Sequence, residues 1–112
     1  MDSGYAIDIV NKYVSFLVNE QKLNLYQVFL FGSYAKNKQN QDSDIDVALV
    51  FQNLDNRLEM QLKLMKWRRK FDLSIEPHPF DRMDFNVNNP FAYEIIQSGM
   101  NLTNTKYNQQ GT

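Results

Sequence analysis

Cysteine is absent from the 112 residues, and that absence removes disulfide frameworks, thiolate zinc sites and cysteine nucleophiles together. Glycine and proline are also scarce, at four and three residues, so no collagen-like, linker-like or Pro-rich segment is available. No apolar stretch approaches the roughly 20 residues needed to span a bilayer, and the N-terminus lacks the basic start and apolar run of a secretory signal. A cytoplasmic protein is expected by elimination. Charge of one sign is missing too. Twelve basic residues stand against thirteen acidic ones, a net charge of −1, so no chain-wide positive field exists to hold a nucleic acid backbone by counterion release.

What is present is enough for one core. The length suits a single domain, and 43% hydrophobic residues, with 8 Phe and 6 Tyr, can fill it. Ile7, Val10, Val14, Leu17 and Val18 recur at helical spacing and predict an amphipathic helix over residues 6–20. Tyr26 to Phe31 is a short aromatic and β-branched run cut off by Gly32-Ser33, which predicts a buried strand. Residues 36–44 contain no apolar side chain and read as a solvated loop or a frayed short helix. Ile45 to Phe51 predicts a second strand.

From Leu54 to Lys70 a helix is expected, with Leu54, Leu58, Leu62 and Met65 as its buried stripe and Met60, Leu64 and Trp67 beside it. Phe71, Leu73 and Ile75 alternate with Asp72, Ser74 and Glu76, which predicts a half-buried strand stopped by Pro77-His78-Pro79. Pro90 to Gly99 has the proline start and glycine stop of a short helix. The expected fold is α/β (α+β): a small mixed sheet flanked by helices, in one domain over residues 1–102. A polar, frayed tail is expected over 103–112.

The chemistry concentrates in two places. Side chains alternate along a strand, so Asp44 and Asp46 share a face about 6.6 Å apart, at about 3.3 Å per residue. Adjacent carboxylates repel unless a cation favours both anions, and their hard oxygens suit Mg²⁺ or Mn²⁺. The strand ending in Gly32-Ser33 suits phosphate, because glycine permits close backbone approach and the exposed N–H groups and Ser33 hydroxyl donate to oxygens. Donors for phosphate a few residues from carboxylates for metal imply a metal–nucleotide complex. A calcium loop starting at Asp42 is disfavoured, because Val47 replaces its glycine and Asn53 its bidentate glutamate.

Gly32-Ser33, a loop, then Asp44-x-Asp46 on a strand resembles the signature of the polymerase β-type nucleotidyltransferases, and among them the minimal, MNT-type proteins. The resemblance covers about residues 5–100 in element order. It implies transfer of a nucleoside monophosphate, AMP from ATP, to a hydroxyl acceptor. Asp44, Asp46 and a third carboxylate would be catalytic and metal-binding, and Gly32, Ser33 and Lys36 nucleotide-binding, with Lys38 an alternative to Lys36. The third carboxylate is expected at Glu76, with Asp72 the competitor on the same strand face, and His78 as a positioning residue. Asn37 departs from the glycine of many relatives, which puts the path of the loop in question, although asparagine tolerates left-handed angles. Such proteins commonly pair with a helical HEPN-type protein in toxin–antitoxin modules, which implies a protein partner as acceptor. A nucleic acid acceptor is not favoured.

Two other readings share these residues. One is a non-catalytic nucleotide- or partner-binding module that neutralises a toxin by contact. The other is an enzyme acting on a small molecule such as an aminoglycoside, which the lack of a substrate domain disfavours. Lys63, Lys66, Arg68, Arg69 and Lys70 read as a solvated basic helix end before an RNA or acidic-partner patch.

Overall fold

Each face of the central strand is apolar in its own right, and this sets a sheet covered on both sides. In the computed structural model, which describes residues 3–103, the order is α1 (Ser3–Asn19), β1 (Leu25–Phe31), β2 (Ile45–Phe51), α2 (Arg57–Trp67), a 3₁₀ turn (Arg68–Lys70), β3 (Ile75–Asp81), α3 (Pro90–Ser98) and β4 (Met100–Asn101). The expected tail lies, from residue 104 onward, outside the described residues. Its first residue, Thr103, is tied to β1, where its hydroxyl accepts from the Val28 amide at 3.0 Å.

The sheet order is β3-β2-β1-β4. β1 runs antiparallel to β2 and β4, whereas β2 and β3 are parallel. The sheet is therefore mixed, as the family resemblance implies. On β2, Ile45, Val47, Leu49 and Phe51 join the core under α1 and α2, while Ala48 and Val50 face Phe29, Phe80, Phe85, Ala92 and Ile95 on the α3 side. Burial on both faces explains why β2 reads as a nearly continuous apolar run. Asp46 shares the parity of Ala48 and Val50, so it lies on the α3 face at the end of the strand.

The third strand does not stop at Pro77-His78-Pro79, as the sequence reading expects. It begins at Ile75 and passes through both prolines to Asp81. β3 is an edge strand. Its even-numbered neighbours bond β2, as the Ile45 amide on the Ser74 carbonyl and the Arg82 amide on the Phe51 carbonyl show. Odd positions point to the free edge, where a missing N–H costs nothing. The outward carbonyls are capped from α2 and its 3₁₀ turn: Gln61 donates to Pro77 O at 2.9 Å and Arg68 to Ile75 O at 2.8 Å. Paired prolines and capped carbonyls also protect the edge against pairing with another chain.

Phe71 to Ser74, expected in the same strand, form a turn instead. The Asp72 carboxylate accepts from the Ser74 amide at 2.8 Å, an Asx turn that reverses the chain into β3.

The second helix is also rotated from its expected position. Leu64 is fully buried, with Leu54, Met60 and Trp67 packed against the core, whereas Leu58 and Leu62 are 71% and 64% exposed. The segment carries two apolar stripes about half a turn apart, and a helix on one sheet face can bury only one. Met60, Leu64 and Trp67, spaced i, i+4, i+7, are the stripe that meets the core. The N-terminus is fixed by Asn56, whose side chain accepts from the Glu59 amide.

Leu64→Ala is expected to cost about 2–4 kcal/mol, the range for a buried leucine, and Leu62→Ala less than about 0.5 kcal/mol. Urea unfolding of the two variants checks the assignment, because a burial pattern centred on Leu62 reverses their order.

Candidate active site

The antiparallel register of β1 and β2 places Phe31 opposite Asp46. Gly32, the next residue, therefore sits beside the Asp46 carboxylate. It adopts φ +74°, and a Cβ built there would collide with Asp46 Oδ2. Both features demand glycine: a left-handed backbone angle and a close approach.

Residues 32–38 then form a single helix-like turn, closed by the Lys36 amide on Gly32 O at 3.2 Å and the Lys38 amide on Ser33 O at 2.9 Å. As in the first turn of any helix, the amides ahead of that first bond have no partner inside the turn, which leaves donors for an anion. Tyr34, 1% exposed, anchors the turn in the core. Asn37 takes φ +57°, so asparagine fills the left-handed position here.

Asp44 is exposed, one residue ahead of β2, and Asp46 is half-buried on it. The parallel register sets Glu76 opposite Asp46 on the neighbouring strand, so the two side chains share a face on strands about 4.8 Å apart. Glu76 is 35% exposed and bonds the Arg68 guanidinium at 3.3 Å. His78 Nε2 lies 3.3 Å from Asp46 Oδ1. Its ring is held edge-on by Phe31 and Phe91, at centroid distances of 5.0 and 5.8 Å. Lys36, exposed, pairs with Glu94 at 3.7 Å. A pocket of about 190 Å³ lies beside this pair, lined by Phe31, Gly32, Lys36, Phe91, Glu94, Ile95 and Ser98.

Asp72 does not belong to this group. It lies in the turn before β3, not on the strand face shared with Glu76, and accepts from the Tyr5 hydroxyl at 2.6 Å across to α1. Burial pushes its carboxyl up, but bonds from Tyr5 and Ser74 outweigh that and hold it below the ordinary carboxylate value. The same bond to Asp72, then burial, raises the Tyr5 hydroxyl.

The structure thus brings together Gly32, Asp46, Glu76 and His78, keeps Ser33 and Lys36 on the adjoining turn, leaves Asp44 exposed just ahead of β2 and not on the strand face expected for it, and separates Asp72. Arg68 adds to the sequence reading. It belongs to the basic stretch read there as solvated, yet its side chain is only 18% exposed and joins Ile75 and Glu76. Nothing in the run of cations marks it out, because its role comes from the edge carbonyl it reaches. Phe31 and Phe91, far apart in sequence, have no local signal either.

For a cation, the donor chemistry fits: carboxylate oxygens on one face, beside a turn that a Cβ would fill. The present side-chain positions gather less. Among the described residues no three acidic or histidine side chains form a group placed to hold a metal ion, and Glu76 is paired with Arg68 and Asp46 with His78.

The model of the polymerase beta nucleotidyltransferase family matches residues 11–108. A Methanocaldococcus jannaschii protein provisionally named a protein adenylyltransferase is 31% identical over 100 residues, 86% of this chain and 97% of that one. Among solved structures, a toxin–antitoxin crystallised with AMP-PNP aligns with a TM-score of 0.57 at 23% identity, over 88% of this chain and 81% of the other. The complex of tri-AMPylated Shewanella oneidensis HEPN toxin with its MNT antitoxin aligns at 0.53 and 21% identity, over 96% and 77%.

Two outcomes test this geometry. Gly32→Ala is expected to destabilise the protein by about 1–3 kcal/mol through its left-handed angle and the collision with Asp46, measured by urea unfolding. The second concerns pH. A depressed folded-state pKa means that Asp72 contributes stability above the ordinary carboxylate value and loses it as pH falls through the lower folded value. Tyr5→Phe should accordingly lower Tm at pH 7, and the difference from wild type should fade on acidification below the carboxylate range. A pH-independent difference would remove Asp72 as its cause.

Proposed function

The chain belongs to the polymerase beta nucleotidyltransferase family, and from that premise we propose that it transfers AMP from ATP to a hydroxyl group on a partner protein. The observation that carries the proposal is the Gly32 turn set against the Asp46 carboxylate, with Glu76 in register on the next strand. The provisional name of the archaeal relative supports adenylyl transfer. The AMPylated HEPN toxin in the neighbouring complex supports a helical HEPN-type partner and an antitoxin role.

In this reading the amides of residues 33–35, ahead of the first bond of the turn, and the Ser33 hydroxyl donate to the β- and γ-phosphate oxygens, and Lys36 neutralises charge there once released from Glu94. The acceptor oxygen bonds to the α-phosphorus as the bond to the β-phosphate oxygen breaks, and pyrophosphate leaves. Asp44, Asp46 and Glu76 would hold Mg²⁺ or Mn²⁺, which when bound neutralises phosphate charge and lowers the pKa of the attacking hydroxyl. Glu76 has to leave Arg68 to take part. His78 holds the Asp46 carboxylate in orientation from between its two aromatic neighbours.

One observation favours a second reading, a module that binds nucleotide or partner without catalysis: both facing carboxylates already have partners inside the protein, Arg68 and His78. The two readings separate by experiment.

With the neighbouring gene product co-purified as acceptor, wild type and Mg²⁺-ATP are expected to add one AMP mass unit or more to it. Glu76→Gln should bind ATP but transfer orders of magnitude more slowly, and Asp72→Asn should transfer nearly as wild type. ATP binding in calorimetry should strengthen when Mg²⁺ replaces chelator. Ser33→Ala should weaken it by about 1–2 kcal/mol, the scale of a hydrogen bond to a charged group. Transfer by no protein, wild type included, with metal-independent ATP affinity, supports the binding module.

A further inference from the structure

The outward face of α2 is organised in a way that neither the core nor the candidate site requires. Leu58 and Leu62, 71% and 64% exposed, are followed on the same helical stripe by Lys66 and Arg69, spaced i, i+4, i+8 and i+11. Six of the chain's 12 basic residues, against one of its 13 acidic ones, lie between Arg57 and Lys70, in a protein of net charge −1. Four of these six have partners: Lys63 pairs with Glu59, Arg68 with Glu76, Arg57 lies over Phe80 and Lys70 over Phe16. The side chains of Lys66 and Arg69, both exposed, take part in no ion pair or hydrogen bond among the described residues. The stripe therefore joins an apolar half to a half carrying two unspent positive charges.

We propose that this stripe docks an amphipathic, acidic helix of a partner protein, lying antiparallel to α2. Charge fixes both occupant and direction. A helix whose N-terminal turns carry carboxylates and whose later turns carry leucines would set its acids against Lys66 and Arg69 and its apolar residues against Leu58 and Leu62. In that orientation the cations stand at the C-terminal end of α2 and the carboxylates at the N-terminal end of the docked helix, each favoured by its own helix dipole. Nucleic acid and membrane surfaces offer negative charge but no matching pair of apolar side chains at helical spacing. The surface also borders the candidate site, because Arg69 is the immediate neighbour of Arg68, which holds Glu76.

The test uses the full chain, isotopically labelled, and a synthetic helical peptide of about 20 residues with Glu at i and i+3 and Leu at i+7 and i+11. Expected are saturable shifts in the amide signals of residues 57–70, weakened about tenfold by Lys66→Glu with Arg69→Glu, by Leu58→Ser with Leu62→Ser, and by added salt. Lys66→Arg should bind as wild type. A control peptide with Lys in place of Glu should not bind. Circular dichroism verifies that the variants fold, as exposed positions allow. Shifts of the same residues with single-stranded RNA or anionic phospholipid vesicles, but not with the acidic peptide, would overturn the proposal. So would shifts with protein concentration alone, which mark a second copy of this chain, or no response to the peptide up to about 1 mM. No nucleotide is present, so the result is independent of whether AMP transfer occurs.

Discussion

The close approach of Gly32 to Asp46 is the constraint on which the rest of the site depends. An antiparallel pair of strands delivers the end of β1 beside the start of β2, and only a residue without Cβ can turn there without striking the carboxylate. The left-handed angle at Gly32 and the anchoring of Tyr34 in the core then fix the turn that follows. A tight turn and a carboxylate thus come within one residue of each other through backbone geometry, before any side chain is chosen for chemistry.

Strand β3 completes the arrangement from the other side, and its stability is bound up with its chemistry. It lies at the sheet edge, where Pro77 and Pro79 can be accommodated and where their neighbouring carbonyls need external donors. Gln61 and Arg68 supply those donors. Because Arg68 reaches both an edge carbonyl and Glu76, the residue that caps the fold also sets the charge next to the candidate site. The segment from Arg57 to Lys70 therefore acts in three directions: Leu64 into the core, Arg68 toward Glu76, and Leu58, Leu62, Lys66 and Arg69 toward solvent.

His78 shows how a polar side chain is held near the carboxylates without being buried. Phe31 comes from β1 and Phe91 from the start of α3, and their ring edges restrict the imidazole while Asp46 takes its Nε2. The same aromatic group continues through Phe80 and Phe85 into the smaller core under α3. The α3 face of the sheet thus changes from apolar packing at its centre to ionisable groups at its end.

Local pattern determined a good deal of this protein. The apolar period of α1, the nearly continuous apolar run of β2, and the proline and glycine that bound α3 were all legible, because each depends on residues close in sequence. So was the presence of Glu76 on a strand after the long helix. Tertiary structure alone decided three further matters. It chose Leu64 over Leu62 as the buried side of α2, since two apolar stripes compete and only contact with the sheet selects one. It carried β3 through two prolines, since only an edge position makes their missing N–H harmless. It removed Asp72 from the strand and gave Glu76 to Arg68, since a turn closed on Ser74 and an edge carbonyl waiting for a donor are relations between distant residues, which no local spacing encodes.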